Sequence, residues 1–221
     1  MVPERERILA KVSLLAIPLL LFATLLVAID LMHPDDFQSA FGLIALFMFT
    51  PVGKFTAGAF VASGFGVWET VFILGTVDLI VGLFLVLNFP FLYGLPKLGP
   101  FLARMELKGH AMLQQQAWVR RAATFGLMLL VAIPFQGTGS IAGSIAGRML
   151  GLGPKRTLVA IGLGAYGGIA LVAGASFGIA GAIRANLGLG LALLGIALAG
   201  LALASVWLWR SHNRRTAPDP L

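Results

Sequence analysis

The sequence predicts an all-α integral membrane protein with four spanning helices and two oppositely oriented re-entrant helical hairpins, arranged as an inverted repeat. Three observations lead to this fold class. The 221 residues are 58% hydrophobic and only 11% charged, whereas about a quarter of a soluble domain is charged. A proline-broken, glycine-rich apolar stretch occurs in each half of the chain. The basic residues are spread so unevenly over the loops that they favour one topology.

Six apolar segments follow one another along the chain. They occupy residues 12–31, 41–66, 70–90, 123–150, 157–183 and 187–209. The first follows a charged start and could be mistaken for a signal peptide, but no small-x-small cleavage site follows it, so we expect it to be retained. The four segments without a proline break in their middle are predicted to span the bilayer.

Segments 41–66 and 123–150 contain the two breaks, at Pro51 and Pro134. Irregular backbone at membrane depth is tolerated only where protein or a water-filled cavity satisfies its polar groups. Broken segments at corresponding positions of two halves indicate a transport site. Both breaks are therefore predicted to be the tips of hairpins that line such a site.

The basic residues decide how these two segments are drawn. If all six segments crossed, the basic loop at 93–122 would lie outside, against the positive-inside rule. If 41–66 and 123–150 re-enter, all of the 16 lysines and arginines lie inside except Arg184 and the two in the hairpins, Lys54 and Arg148. We therefore expect both termini in the cytoplasm, hairpins entering from opposite faces, and a location in the plasma (inner) membrane.

The chain is predicted to form a single membrane domain over residues 1–221. Its parts are a first repeat at 41–90, an interfacial linker at 97–121, a second repeat at 123–183, a last spanning helix at 187–209 and a disordered tail at 210–221. The linker is predicted to be an amphipathic helix, with a plain solvated linker as the alternative. The repeat is based on small residues that match at offsets of 85 (Gly58, Ala62, Gly66 with Gly143, Gly147, Gly151) and 87 (Thr70, Gly75 with Thr157, Gly162).

Asp78 is the most informative single residue, because it lies in the middle of the apolar run Val71–Leu87. A carboxylate at that depth is costly unless it is paired, protonated or hydrated. Lys54 and Arg148 are the candidate partners, since each lies in a hairpin. We expect Asp78 to couple transport to protons or ions, or to gate it; a static ion pair that locks a hairpin is the alternative.

The same basic residues predict an anion-binding site. Arginine presents a bidentate fork to phosphate and lysine a point charge, and the turn 137–140 suits a helix N-terminus that binds an anion. The predicted substrate-binding or gating residues are Lys54, Asp78, Arg148, Gln136, Gly137, Thr138, Gly139 and Ser140. Alternatively, the side chain of Arg148 extends to the interface, and the polar residues of the turn only satisfy broken backbone.

Several function classes are excluded by what the sequence lacks. It has no cysteine, so disulfides, thiolate catalysis and cysteine-bound metals are ruled out. The three histidines are far apart, and no metal-ligand spacing, phosphate-binding loop or nucleophile elbow occurs. We predict no enzyme, no cofactor and no metal. The net charge of +7 indicates contact with anionic lipid head groups rather than nucleic acid.

Residues 126–139, GLMLLVAIPFQGTG, follow a basic linker and precede a small-residue helix. In this arrangement the chain resembles the "Putative small multi-drug export protein" family over roughly residues 41–180. The first hairpin departs from the family pattern, because Gly53-Lys54-Phe55-Thr56 precedes Ala57-Gly58 where the family pattern has an acidic residue and an arginine before a Gly-Ala pair. The family is also similar to DedA-type membrane proteins, so the resemblance implies paired re-entrant hairpins and an export or lipid-phosphate translocation activity.

The leading prediction is a transporter or a lipid or small-molecule translocase with a midplane site between the two hairpins. Its substrate is expected to be anionic or amphiphilic, with proton coupling through Asp78. A non-transporting scaffold or assembly subunit is the alternative, and a cationic drug exporter ranks lower. The expected partners are the lipid bilayer, an unidentified small-molecule or lipid substrate and a second copy of the chain, packed through glycine rows.

Overall fold

A computed structural model describes residues 4–50, 52–93, 99–100, 104, 107, 117–134, 139–188, 190–196, 198–200 and 203. Within these ranges the chain is helical, with connecting turns and no strand, which confirms the predicted all-α class. The helices are α1 (Glu4–Met32), α2 (Phe37–Phe49), a 3₁₀ turn (Gly53–Phe55), α3 (Thr56–Ala62), α4 (Val67–Tyr93), α5 (Ala117–Ala132), α6 (Ser140–Met149) and α7 (Pro154–Ala185).

Three of the described helices are long and apolar enough to cross a membrane. They are α1 over Leu14–Met32, α4 over Val67–Phe89, and α7 over Pro154–Ala185, and they correspond to three of the four predicted spanning segments. The fourth segment, 187–209, contains a shorter apolar helix at Gly190–Gly200 and lies partly outside the described residues. The helical, apolar character of the chain therefore agrees with a membrane location.

The chain divides into two compact units, residues 1–174 and 175–221, with the boundary inside α7. In the first unit, a core of buried apolar side chains is contributed by α1, α2, α3, α4 and α7, including Ile29, Ile44, Phe60, Leu74 and Ile169. Helix α5 begins at Ala117, inside the range predicted for the linker. The rest of that linker is mostly outside the described residues, as is the whole predicted tail.

Each half of the first unit has the same order of elements: a short helix, a break, a second short helix and a long helix. The second short helices end in the same turn. The N–H of Phe65 donates to the carbonyl of Phe60 at 3.2 Å, and the N–H of Leu152 donates to that of Gly147 at 2.9 Å. These are Schellman caps, in which a glycine takes a left-handed conformation.

The two capping glycines are Gly64, with φ +99°, and Gly151, with φ +71°. They are 87 residues apart, the same offset that relates Thr70 to Thr157. Both threonines are buried, and their N–H groups donate to the carbonyls of residues 66 and 153. The two caps and the two threonines thus share one spacing, whereas the predicted match of Gly66 with Gly151 stays a prediction.

Close contacts set the directions of the helices around α4. Ser140 and Ser144 of α6 hydrogen-bond to Asp78 and the carbonyl of Gly82, respectively, so α4 and α6 run parallel. A Cβ added at Gly75 would overlap the ring of Tyr166, and one at Gly82 would contact Ile161. From Gly75 to Gly82 the contacts move toward the C-terminus of α4, while from Tyr166 to Ile161 they move toward the N-terminus of α7. These two long helices therefore run antiparallel.

Helices α5 and α7 run parallel and very close together. A Cβ added at Gly164 would overlap the carbonyl oxygen of Met128, and one at Gly168 would overlap that of Ala132. Both contacts relate residues 36 apart, which fixes one register. Glycine is required here because backbone approaches backbone, and no side chain can move aside to admit a methyl group.

Candidate functional site

Asp78 lies deep in α4, eleven residues after its start at Val67. At 1.5 Å per residue this is about 16 Å along the helix, close to the middle of a hydrocarbon core about 30 Å thick. The residue is buried, with 5% of its surface exposed. Its environment therefore has to compensate the carboxylate, and two other elements of the first unit do so.

Ser140, the first residue of α6, makes the first of these contacts. Its N–H donates to Oδ1 of Asp78 at 3.0 Å. The first N–H groups of a helix have no partner within the helix and carry partial positive charge, so a carboxylate placed there caps α6. Glycine at position 139 gives the carboxylate room, because a Cβ there would lie 3.2 Å from Oδ1.

Lys54 makes the second contact, from the 3₁₀ turn that connects α2 and α3. Gly53 begins this turn at φ +50°, a conformation that side chains rarely adopt. Only 3% of Lys54 is exposed. Its Nζ lies 3.7 Å from Oδ2 of Asp78 and donates a hydrogen bond to the carbonyl of Val131, in the last turn of α5.

The two charges therefore compensate the facing ends of two consecutive helices, α5 and α6. The cation of Lys54 is at the C-terminal end of α5, where unpaired carbonyls carry partial negative charge. The anion of Asp78 is at the N-terminal end of α6. Because the two side chains come from other elements, the first break and α4 hold the second break together.

A partly open cavity of about 260 Å³ adjoins this ion pair. Its lining is mostly apolar and consists of Phe47, Met48, Phe49, Gly53, Lys54, Asp78, Val81, Gly139, Ser140 and Ile141. Oδ2 of Asp78 is buried and accepts no hydrogen bond from the described residues. Its partner among the described residues is the ammonium of Lys54 at 3.7 Å, an ion pair without a hydrogen bond.

Residues 56–172, more than half of the chain, match the family described as "Putative small multi-drug export protein". The chain belongs to this family. Comparison with curated proteins and with solved structures gave no match. The matched range includes Asp78 and Ser140, whereas Lys54 lies two residues before it. The predicted family is therefore confirmed, and the likeness to DedA-type proteins stays a prediction.

In this family member the predicted site residues separate into three groups. The structure brings together Lys54, Asp78, Gly139 and Ser140. Pro134 and Arg148 are described but do not line the cavity, and Pro134 lies half-buried just after α5. Pro51, Gln136, Gly137 and Thr138 are outside the described residues.

Arg148 is not the partner of Asp78. It lies eight residues beyond Ser140, about 12 Å along α6, and does not line the cavity. Its guanidinium is above the ring of Phe89, 5.5 Å from the centroid, a cation–π arrangement. The question that the sequence left open, between Lys54 and Arg148, is thus answered by the geometry in favour of Lys54.

Two further contacts are ones that the sequence predicts weakly or not at all. The carbonyl of Val131 holds Lys54, but an apolar residue gives no sign of such a backbone role. His33, after α1, pairs with Glu69, in the first turn of α4. The carboxylate of Glu69 also accepts from the N–H of Gly66 at 3.2 Å. Polar residues at consecutive helix ends were the only indication of this pair.

Proposed function

We propose that the protein is a membrane exporter whose cavity between two re-entrant hairpins opens and closes at the Lys54–Asp78 pair. The single observation that carries this proposal is the buried ion pair at the cavity, in which Oδ2 of Asp78 lies 3.7 Å from Nζ of Lys54 and accepts no hydrogen bond from the described residues. A buried charged group at membrane depth is functional by default. Membership in an export-protein family supports the general activity.

The directions of the helices support the proposed topology. Because α5 and α7 run parallel, a membrane entered by α5 is left again by α6 on the same face. Helix α1 runs antiparallel to α4, since Asn88 donates to the carbonyl of Leu14 at 3.3 Å while His33 pairs with Glu69 at the other end. The segment between α1 and α4 would then begin and end on the opposite face, as expected for inverted repeats.

The geometry changes the ranking of substrates. The predicted anion site consisted of Lys54, the turn 137–140 and Arg148; of these groups, the ammonium of Lys54 and the N–H of Ser140 already contact Asp78. An anion would have to displace this carboxylate. A cationic or protonated amphiphile would instead compete with Lys54 for the carboxylate of Asp78, among mostly apolar walls, so we rank this class first.

The same contacts suggest how a proton could act. Protonation of Asp78 would remove its attraction to Lys54, and the lysine would remain attached to the first hairpin and to the carbonyl of Val131. The carboxyl group would also hold the N–H of Ser140 less strongly, because hydrogen bonds to charged groups are the stronger ones. The two hairpins could then separate at their tips.

Transport in proteoliposomes tests the proposal. We expect purified protein to move a lipophilic cationic dye along an imposed pH gradient, and Asp78→Asn to abolish the gradient dependence. Glu69→Gln is the matched control, since it neutralises the other carboxylate of α4, away from the cavity. Equal, pH-dependent transport by the Asp78→Asn protein would refute the role of Asp78.

Ligand-dependent thermal stabilisation tests the substrate class. A ligand at 100 times its Kd stabilises the folded state by about 2.7 kcal/mol. We expect cationic amphiphiles to raise the melting temperature of the wild type but not of the Asp78→Asn protein. Stabilisation by lipid phosphates or small anions alone would restore the anionic class.

A static scaffold is the second candidate, and one observation favours it. Lys54 and Asp78 each compensate a helix end, which is a purely structural task. A cysteine at Val81, which lines the cavity, distinguishes the two functions, with Leu83→Cys on another face of α4 as the control. A membrane-impermeant thiol reagent should modify only the first in an exporter and neither in a scaffold.

A further inference from the structure

A groove lies between α5 and α7, apart from the cavity beside Asp78. It has a volume of about 360 Å³ and is lined by Arg120, Arg121, Thr124, Phe125, Met128, Arg156, Val159, Ala160 and Leu163. It shares no residue with the cavity beside Asp78. We propose that this groove binds one anionic diacyl phospholipid, with its phosphate at the three arginines.

The arginines meet because of the helix register. The contacts of Gly164 with Met128 and of Gly168 with Ala132 relate residues 36 apart, and the same spacing relates Arg156 to Arg120. Two turns before the close approach, the first turns of the two helices therefore lie side by side. All three arginines are exposed, and no carboxylate is among the described residues that line the groove.

The floor of the groove is apolar and exposed. Val159 is 56% exposed and Leu163 is 61% exposed. Both also line a shallow apolar groove of about 490 Å³ that continues along α4 and α7, past Leu79 and Leu83 to Tyr166. From Arg156 to Tyr166 the distance along α7 is about 15 Å, the depth of one leaflet of a hydrocarbon core about 30 Å thick.

This combination selects one occupant. Arginine forks bind phosphate oxygens bidentately, and the positive charge at the groove disfavours a head group with its own ammonium. Free phosphate would leave the apolar floor uncovered, whereas acyl chains would cover it. Phosphatidylglycerol combines a net negative head group with two chains and fits both parts.

Native mass spectrometry of the purified full-length protein tests the assignment. With phosphatidylglycerol added, we expect one tightly bound lipid, held at least tenfold more tightly than phosphatidylcholine because one basic side chain near an anionic lipid is worth about fivefold. Arg156→Gln should weaken this binding about fivefold, and the triple change of Arg120, Arg121 and Arg156 to Gln about 100-fold. Lys155→Gln removes an equal charge from the neighbouring exposed position, which does not line the groove, and should leave binding unchanged.

Three outcomes would overturn the proposal. Equal binding of phosphatidylglycerol and phosphatidylcholine would indicate unspecific annular lipid. An equal loss in Lys155→Gln and Arg156→Gln would indicate diffuse surface charge. Displacement of the lipid by millimolar inorganic phosphate would indicate a simple anion site. The melting temperature of each variant shows that it is folded, since these exposed side chains are not part of the core.

Discussion

At the scale of single residues, the ion pair of Lys54 and Asp78 is costly to bury and is kept in place by partners on both sides. Removing two charges from water costs several kcal/mol per ion, and their attraction alone does not always repay it. Here each charge also meets the complementary end of a helix, through the carbonyl of Val131 and the N–H of Ser140. The pair is therefore stable only while the 3₁₀ turn, α4 and the facing ends of α5 and α6 stay in contact.

A double-mutant cycle tests this coupling. Lys54→Met and Asp78→Asn should each lower the free energy of unfolding by about 3–5 kcal/mol, because each leaves one buried charge without its partner. The double variant should lose clearly less than the sum, since no charge is then buried. Thermal unfolding in detergent measures all three. Additive losses would show that the two side chains act independently.

At the scale of the elements, the short distance between α5 and α7 depends on two glycines. A methyl group at Gly164 or Gly168 would strike a backbone carbonyl, which cannot rotate away. We expect Gly164→Ala and Gly168→Ala each to destabilise the protein by about 1–3 kcal/mol, the range for overpacking. Gly167→Ala, on a face of α7 with nothing within 4 Å, should be neutral or stabilising by up to about 1 kcal/mol.

Melting temperatures in one detergent compare these three variants. If Gly167→Ala destabilised as much as its neighbours, the cause would be the backbone of α7 itself rather than contact with α5.

The lipid groove offers a second measurement, because a displaced α5 would move Arg120 away from Arg156. Reduced phosphatidylglycerol binding by Gly164→Ala would link the close approach to the groove.

The cap at the end of α3 makes a separate prediction. Gly64 has φ +99° and nothing within 4 Å of an added Cβ, so Gly64→Ala is penalised by backbone strain alone, by about 1–2 kcal/mol. Gly42→Ala, in the interior of α2 and also without near neighbours, should stabilise by about 0.5–1 kcal/mol. Opposite shifts of the melting temperature are expected; shifts of the same sign would contradict the cap.

At the scale of the whole molecule, the antiparallel directions of α4 and α7 determine which loops share a face. The absence of cysteine makes this testable without a background to remove. We expect Asp35→Cys, in the exposed turn after α1, to react with an impermeant thiol reagent in intact cells. Lys155→Cys, at the exposed start of α7, should react only after permeabilisation. Labelling of both in intact cells would refute the proposed topology.

The sequence allowed part of the candidate site to be predicted. Asp78 was evident from its depth in an apolar run, and Lys54 and Ser140 from their places in broken segments. Arg148 was grouped with them because it has the right charge, but two turns of α6 carry it to Phe89 instead. The carbonyl of Val131 could not be foreseen, because any residue has a carbonyl and only the break of α5 leaves this one in need of a donor.

The helical class, the apolar helices, the family and the candidate ionisable residues were determined by the sequence itself. They follow from composition, from local hydropathy and from where prolines and glycines interrupt it, all of which are properties of neighbouring residues. The partner of Asp78 and the meeting of three arginines in one groove were decided only by the tertiary structure. Each depends on how elements far apart in the chain pack together, and between α5 and α7 that packing is set by two glycines that let the backbones touch.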